Sequence, residues 1–300
     1  MEKNRIDRIE TDFIKANQVE LWMKREDLVH PIIAGNKWRK LFYNLAAAKA
    51  EGKTHLISFG GAYSNHIHAV AAAGPLYQLK TIGIIRGERP AVLNPTLQFA
   101  EKQGMLLHFV SRSVYRNKTT ALEQLDLPLA TSYILPEGGT NNLAIKGCQA
   151  IITSLTKPFD YYCVSCGTGG TIAGMVTALD NDSARQVLGF SALKGDFLQK
   201  EVATLMTSFN GRKYENWKIN FDYHFGGYAK HTTELIEFMN AFKHRQSITL
   251  DPIYTGKMMY GIFDLIGKGY FPKGANILAI HTGGLQGLAG FQARFGALLT

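Results

Sequence analysis

Strand-like and helix-like runs alternate along most of this 300-residue chain, and that alternation leaves few architectures open. Short runs rich in branched and aromatic residues occur at 54–60, 81–86, 105–110, 133–136, 161–166, 186–191, 219–225 and 276–281, and most end in Gly, Ser or Pro. Helix-like segments lie between them at 37–50, 65–76, 90–102, 142–155, 171–179, 231–242 and 256–268. The alternation predicts an α/β protein whose mostly parallel sheets are covered by helices on both faces. Eight strands are many for one sheet, so two sheets are expected. The stretch 111–130, polar and then Leu-rich, reads as a helix with flanking loops. No repeat, low-complexity tract or linker stands out. In open sheets of this type ligands bind beyond the carboxyl ends of the strands, which is where the glycine turns of this chain fall.

The net charge is +9, from 33 basic and 24 acidic residues, but the basic residues are scattered rather than blocked. That pattern suits a surface attracting small anions and not a nucleic-acid binder. Three cysteines, Cys148, Cys163 and Cys166, do not make a disulfide scaffold. No apolar run follows Met1-Glu2-Lys3-Asn4-Arg5, and no apolar stretch is long enough to span a bilayer. A cytoplasmic protein without membrane contact is expected.

Three segments carry chemistry that fits together. Gly35-Asn36-Lys37 puts an amine at a helix start, where the dipole disfavours an ammonium and lowers its pKa. Lys24 and Lys40 are rivals for that amine. Gly60-Gly61-Ala62-Tyr63-Ser64-Asn65-His66 follows a strand. Ser64 either simply caps the next helix or, with the free N–H groups there, takes a carboxylate. Ser165-Cys166-Gly167-Thr168-Gly169-Gly170-Thr171 is a glycine turn between strand and helix, with N–H groups and two hydroxyls suited to a phosphate. It lacks a P-loop lysine and departs from the dinucleotide pattern. Cys163 and Cys166 form C-x-x-C, but Cys163 falls inside an apolar strand and no second pair completes a zinc site. His66 and His68 point to different helix faces and make a poor metal pair, so no metal is expected. An amine, a phosphate cradle and an anion-binding turn together are what a pyridoxal 5'-phosphate (PLP) enzyme acting on an amino acid needs.

With 24–27 (Lys-Arg-Glu-Asp), 35–41, 60–66, 137–141 (Glu-Gly-Gly-Thr-Asn), 167–171, 251–257 (Asp-Pro-Ile-Tyr-Thr-Gly-Lys) and 281–284 (His-Thr-Gly-Gly), the chain resembles one group of PLP-dependent enzymes. These are the 1-aminocyclopropane-1-carboxylate (ACC) deaminases and D-cysteine desulfhydrases, of fold type II, like the tryptophan synthase β chain. The resemblance implies a large cofactor-binding domain of residues 1–42 and 134–300, a small α/β domain of 43–133, and a homodimer. It implies Lys37 as the lysine that links to PLP and moves the α-proton, Asn65 on the ring oxygen, and Cys166, Gly167, Thr168, Gly169, Gly170 and Thr171 around the phosphate. Tyr254, packed against the ring or acting as a catalytic acid–base group, and Thr282 would face the ring. Ser64 would act on the reacting side, with Tyr63, Asn65, His66, Tyr228 and Thr255 around the substrate. Thr255 and Thr282 stand where the deaminases of the group carry Glu and Leu, and so form a desulfhydrase-like pair. A hydroxyl leaves the ring nitrogen largely neutral, which suffices for β-elimination of a thiolate. Tyr63 replaces the usual glutamine and either narrows the pocket or replaces an amide contact. The resemblance implies a deaminating lyase taking D-cysteine to pyruvate, sulfide and ammonia. The alternatives are ACC deamination or another PLP-dependent deaminase or β-replacement reaction, and, in a different class, a non-catalytic PLP carrier or sensor.

Overall fold

The computed structural model describes residues 4–33, 35–296 and 298–299, so Met1–Lys3 of the N-terminal reading lie outside the described residues. The chain runs β1 (Ile6–Ile9), α1 (Asp12–Ala16), β2 (Glu20–Lys24), α2 (Asn36–Ala50), β3 (His55–Gly61), α3 (Asn65–Tyr77), β4 (Lys80–Arg86) and α4 (Pro95–Lys102). It continues through β5 (Leu106–Val110), α5 (Arg112–Arg116), α6 (Lys118–Glu123), β6 (Ser132–Leu135), α7 (Asn142–Thr153), β7 (Tyr161–Cys166) and α8 (Gly170–Leu179). The last part holds β8 (Gln186–Ser191), α9 (Phe197–Asn210), β9 (Trp217–Asn220), α10 (Thr233–Gln246), α11 (Thr255–Gly267), β10 (Asn276–Ile280) and α12 (Leu288–Phe295).

Two sheets form. One has six strands in the order β1-β2-β10-β7-β8-β9, the other four in the order β5-β4-β3-β6. Every pair is parallel except β1 with β2 at one edge. Both faces of the larger sheet are buried, and the period-two alternation shows how. Cys163, Ile277 and Ala279 point into one core with Met239 of α10 and Ile262 of α11. Tyr162, Val164, Leu278 and Ile280 point into the other, with Ile145 of α7, Ile172 of α8 and Val202 of α9. The smaller sheet repeats the pattern, with Leu56 and Ile85 towards α3 and α4, and Ile57 and Ile84 towards α5 and α6. Cys163 and Cys166 belong to opposite cores, so the C-x-x-C phrase brings no pair of thiols together. All three cysteines are free and buried. No helix among the described residues is long and apolar enough to cross a membrane.

The strands 161–166 and 186–191 stand where the sequence predicts them, while others differ at their ends. The expected change of domain between 133 and 134 falls inside β6, whose register pairs Ser132 with His55 of β3. The region 111–130 holds two short helices, α5 and α6, instead of one, because Asn117 ends the first and caps the second. The strand expected at 219–225 is shorter and earlier, as β9.

Candidate functional site

The carboxyl ends of β3, β7 and β10 open into one cavity of about 610 Å³, closed by the starts of α2 and α11 and by α12. Two backbone features bring the Lys37 helix to this edge. Gly35, at φ +68° and ψ −149°, precedes α2 in a conformation open to glycine. A Cβ there would overlap the Thr282 carbonyl oxygen and lie 2.8 Å from Gly283 N, so the helix start and the end of β10 touch backbone to backbone. The Asn36 N–H donates to that same oxygen at 3.2 Å. The phrase 24–27 secures the contact from behind. Arg39 of α2 forks onto the buried Glu26 carboxylate at 2.8 and 3.0 Å, and Gly35 N–H donates to the Glu26 carbonyl.

Lys37 lines the cavity, and burial together with the neighbouring Lys40 ammonium pulls its amine down to about 7. Lys40, a rival at the sequence level, is committed elsewhere. Its buried ammonium donates to the Gly138 carbonyl at 3.0 Å, Thr140 Oγ1 at 2.9 Å and Thr168 Oγ1 at 3.3 Å, and so stands against the glycine turn. Lys24 is paired with Glu26 at 3.6 Å, away from the cavity lining.

The turn 167–171 has little room for side chains. A Cβ on Gly167 would meet Tyr254 Oη at 3.1 Å, one on Gly169 would meet Val202 Cγ2 at 2.5 Å, and one on Gly170 would meet Lys40 Nζ at 3.1 Å. The first N–H groups of α8 have no partner inside the helix and face this edge. Asn36 Nδ2 donates to Thr171 Oγ1 at 2.9 Å, tying α2 to α8. Across the cavity, Ser64 Oγ accepts from Ile67 N–H at 3.2 Å as the cap of α3, which leaves its own proton for a ligand. Thr282 and Ser165 face each other at 3.2 Å through their hydroxyls, and both line the cavity. Tyr228 and Tyr254 meet edge to face at 6.2 Å. Burial pushes both phenols up, Tyr254 well above the ordinary phenol range, so they stay neutral.

His66 is 1% exposed, lines the cavity, and has no hydrogen-bond partner on either ring nitrogen. Burial and the charges of Lys37 and Lys40 hold it well below the usual imidazole range. A buried neutral imidazole without partners calls for one from a ligand. Together with the glycine-rich turn and the Lys40 ammonium against it, this fits a phosphorylated, oxygen-bearing cofactor such as PLP.

Of the residues expected around the ligand, Lys37, Tyr63, Ser64, Asn65, His66, Cys166, Gly167, Thr168, Gly169, Thr171, Tyr228, Tyr254 and Thr282 line the cavity. Gly170 and Thr255 do not. Gly170 lies behind the turn against Thr140 and Lys40. Thr255 is fully buried, and its hydroxyl is used twice by Asp251: it donates to Oδ2 at 2.7 Å and accepts from the Asp251 N–H at 2.8 Å. Asp251 also accepts from the N–H groups of Ile253, Tyr254 and Thr255, so it wraps the start of α11. Thr255 therefore shapes the loop of Tyr254 and lies behind the cavity lining. Ser165, Arg86, Arg112, Arg294 and Phe291 were missed. Ser165 sits inside the quoted motif and its alternation in β7 was the available signal. The others lie at the end of β4, at the start of the short helix α5 and on a C-terminal helix whose pattern is too short to read.

A family model described as pyridoxal-phosphate dependent enzyme matches residues 6–283. A putative ACC deaminase of Pyrococcus horikoshii is 32% identical over 291 residues, covering 89% of this chain and 85% of that protein. The bifunctional D-cysteine desulfhydrase/ACC deaminase of Arabidopsis thaliana mitochondria is 33% identical over 303 residues, covering 91% of this chain and 74% of that one. The crystal structure of an ACC deaminase homologue superposes with a TM-score of 0.86 at 28% identity, covering all of this chain and 94% of that one. The chain is thus a pyridoxal-phosphate-dependent enzyme of fold type II, and it belongs to the family that holds the ACC deaminases and the D-cysteine desulfhydrases.

Proposed function

We propose that this enzyme is a deaminating lyase that removes a β-substituent from a small amino acid, with D-cysteine as the reference substrate and pyruvate, sulfide and ammonia as products. The observation that carries the reading is the hydroxyl pair Thr282–Ser165, which lines the same cavity as Lys37. When bound, PLP withdraws electrons from the substrate α-carbon, and a ring nitrogen met by hydroxyls does so moderately, enough for a thiolate to leave. Lys37, with its amine held near neutrality, takes the α-proton. The Ser64 hydroxyl and the N–H groups at the start of α3 hold the carboxylate, and Asn65 orients the ring oxygen. The turn 167–171, with Lys40 behind it, holds the phosphate. Neutral Tyr254 and Tyr228 pack beside the ring and exclude water, and His66 finds its missing partner on the bound ligand. The division into domains 1–42 with 134–300 and 43–133, a homodimer and a cytoplasmic site of action complete the proposal.

ACC deamination is the second reading, favoured by the names of the relatives. The test is release of sulfide and pyruvate from D-cysteine by PLP-loaded protein, with L-cysteine and ACC alongside and Lys37→Ala as control. D-selective release lost in the variant supports the reading. Release of ammonia and 2-oxobutyrate from ACC, with no sulfide or pyruvate from D-cysteine, transfers it to the second, and turnover by Lys37→Ala refutes the role of Lys37.

A further inference from the structure

Three guanidinium groups line the mouth of the cavity: Arg86 at the end of β4, Arg112 at the start of α5 and Arg294 in the last turn of α12. They arrive from separate elements on both sides of the opening. None has a carboxylate within ion-pair reach among the described residues. Glu137, the one carboxylate lining the cavity among those residues, is paired with Lys118 at 3.1 Å. Arg86 and Arg294 rest on aromatic faces instead, 5.5 Å from the Tyr115 centroid and 5.0 Å from that of Phe295, which leaves their N–H forks open.

The position of Arg86 matters. Its Nη2 lies 3.5 Å from where a Cβ on Gly61 would be, beside the turn that carries Ser64. Tyr63 of that turn packs against α12, its ring 3.0 Å from where a Cβ on Gly290 would stand, and this seats Arg294 over the same opening. The phosphate turn has its own cation in Lys40, and the Ser64 turn has its own N–H groups for the α-carboxylate. The three arginines are thus surplus to a neutral small amino acid. A guanidinium fork matches the paired oxygens of a carboxylate, sulfonate or phosphate.

We infer that the preferred substrate is an amino acid whose side chain ends in an anionic oxyacid group, received by Arg86, Arg112 and Arg294. This rests on the amino-acid reading above and names its substrate class. The experiment titrates the PLP-loaded enzyme with aspartate against asparagine and with O-phosphoserine against serine, each as both enantiomers. The readouts are cofactor absorbance and calorimetric heat, at low and high salt. The anionic member of at least one pair should bind about tenfold more tightly, as charge-assisted pairs do. The two pairs distinguish a carboxylate from a phosphate ligand. The advantage should shrink with salt and in Arg86→Ala, Arg112→Ala or Arg294→Ala. Equal binding of charged and neutral members, or a preference that survives in all three variants, overturns the inference and leaves the lyase reading standing. Absence of any response to every amino acid, including D-cysteine and ACC, overturns the amino-acid reading and the inference with it.

Discussion

Gly35→Ala is the sharpest perturbation of the site that touches no ligand. At φ +68° and ψ −149° the backbone sits where an L side chain is strained, at a cost of about 1–3 kcal/mol. The methyl group would also overlap the Thr282 carbonyl and lie 2.8 Å from Gly283 N, against a comfortable separation of about 3.5 Å. The end of β10 cannot yield, because the strand is held between β2 and β7 with Ile280 fully buried. The first turn of α2 must therefore move away, by about an ångström, and Lys37 moves with it. Strain and repacking together should lower stability by about 3 kcal/mol. Displacement of a reacting group by an ångström should cut turnover about 100-fold. Urea denaturation of the PLP-loaded protein, paired with cofactor absorbance and steady-state rates, reads both effects. Full stability with an unaltered spectrum and rate would mean that the helix start and β10 do not meet as described, and the argument for how Lys37 is positioned would fail.

Capture of PLP by the cofactor-free protein should rise through about pH 7 and level off above it, because the Lys37 amine loses its proton there. An ordinary lysine near 10.5 would leave the rate still climbing at pH 9, and stopped-flow absorbance against pH decides between them. Thr255→Val removes both hydrogen bonds to Asp251 and should cost about 2 kcal/mol in a denaturant titration while the cofactor spectrum stays put. Thr255→Glu should destabilise still more, since it buries a carboxylate beside that of Asp251; a stable variant with a shifted cofactor spectrum would return Thr255 to the ring. Glu26→Leu strands Arg39 and Lys24 without their carboxylate and should cost about 3 kcal/mol, checked by thermal unfolding. Loss of under half a kilocalorie would make that buried network incidental.

Which parts of this arrangement were legible in the sequence follows from where the controlling interactions lie. β7 and β8 are short apolar runs buried on both faces, so local composition already carries their fate, and their ends were readable. β2, with Glu and Lys at its ends, pairs with β1 and β10, and its buried Lys24 is met by Glu26, Ser154 and Asn4, partners that local pattern does not carry. The glycine turn, the capped helix at Ser64 and Lys37 at its helix start were readable because each is a local device with a backbone reason. The hydrogen bonding of Thr255 was not legible, because family position says which residue varies with activity, not which way its side chain points. Its partner Asp251 is four residues away on the same loop, and an Asp wrapping a helix start offers a hydroxyl more than water does. The arginines at the mouth were invisible for the opposite reason. The pairing of β4 with β5 sets Arg86 opposite Val110 and so beside Arg112, and the folding of α12 against the Tyr63 turn brings Arg294 to the same opening. Local chemistry therefore announced the cofactor, while the arginines proposed to receive the substrate side chain are gathered only by the fold.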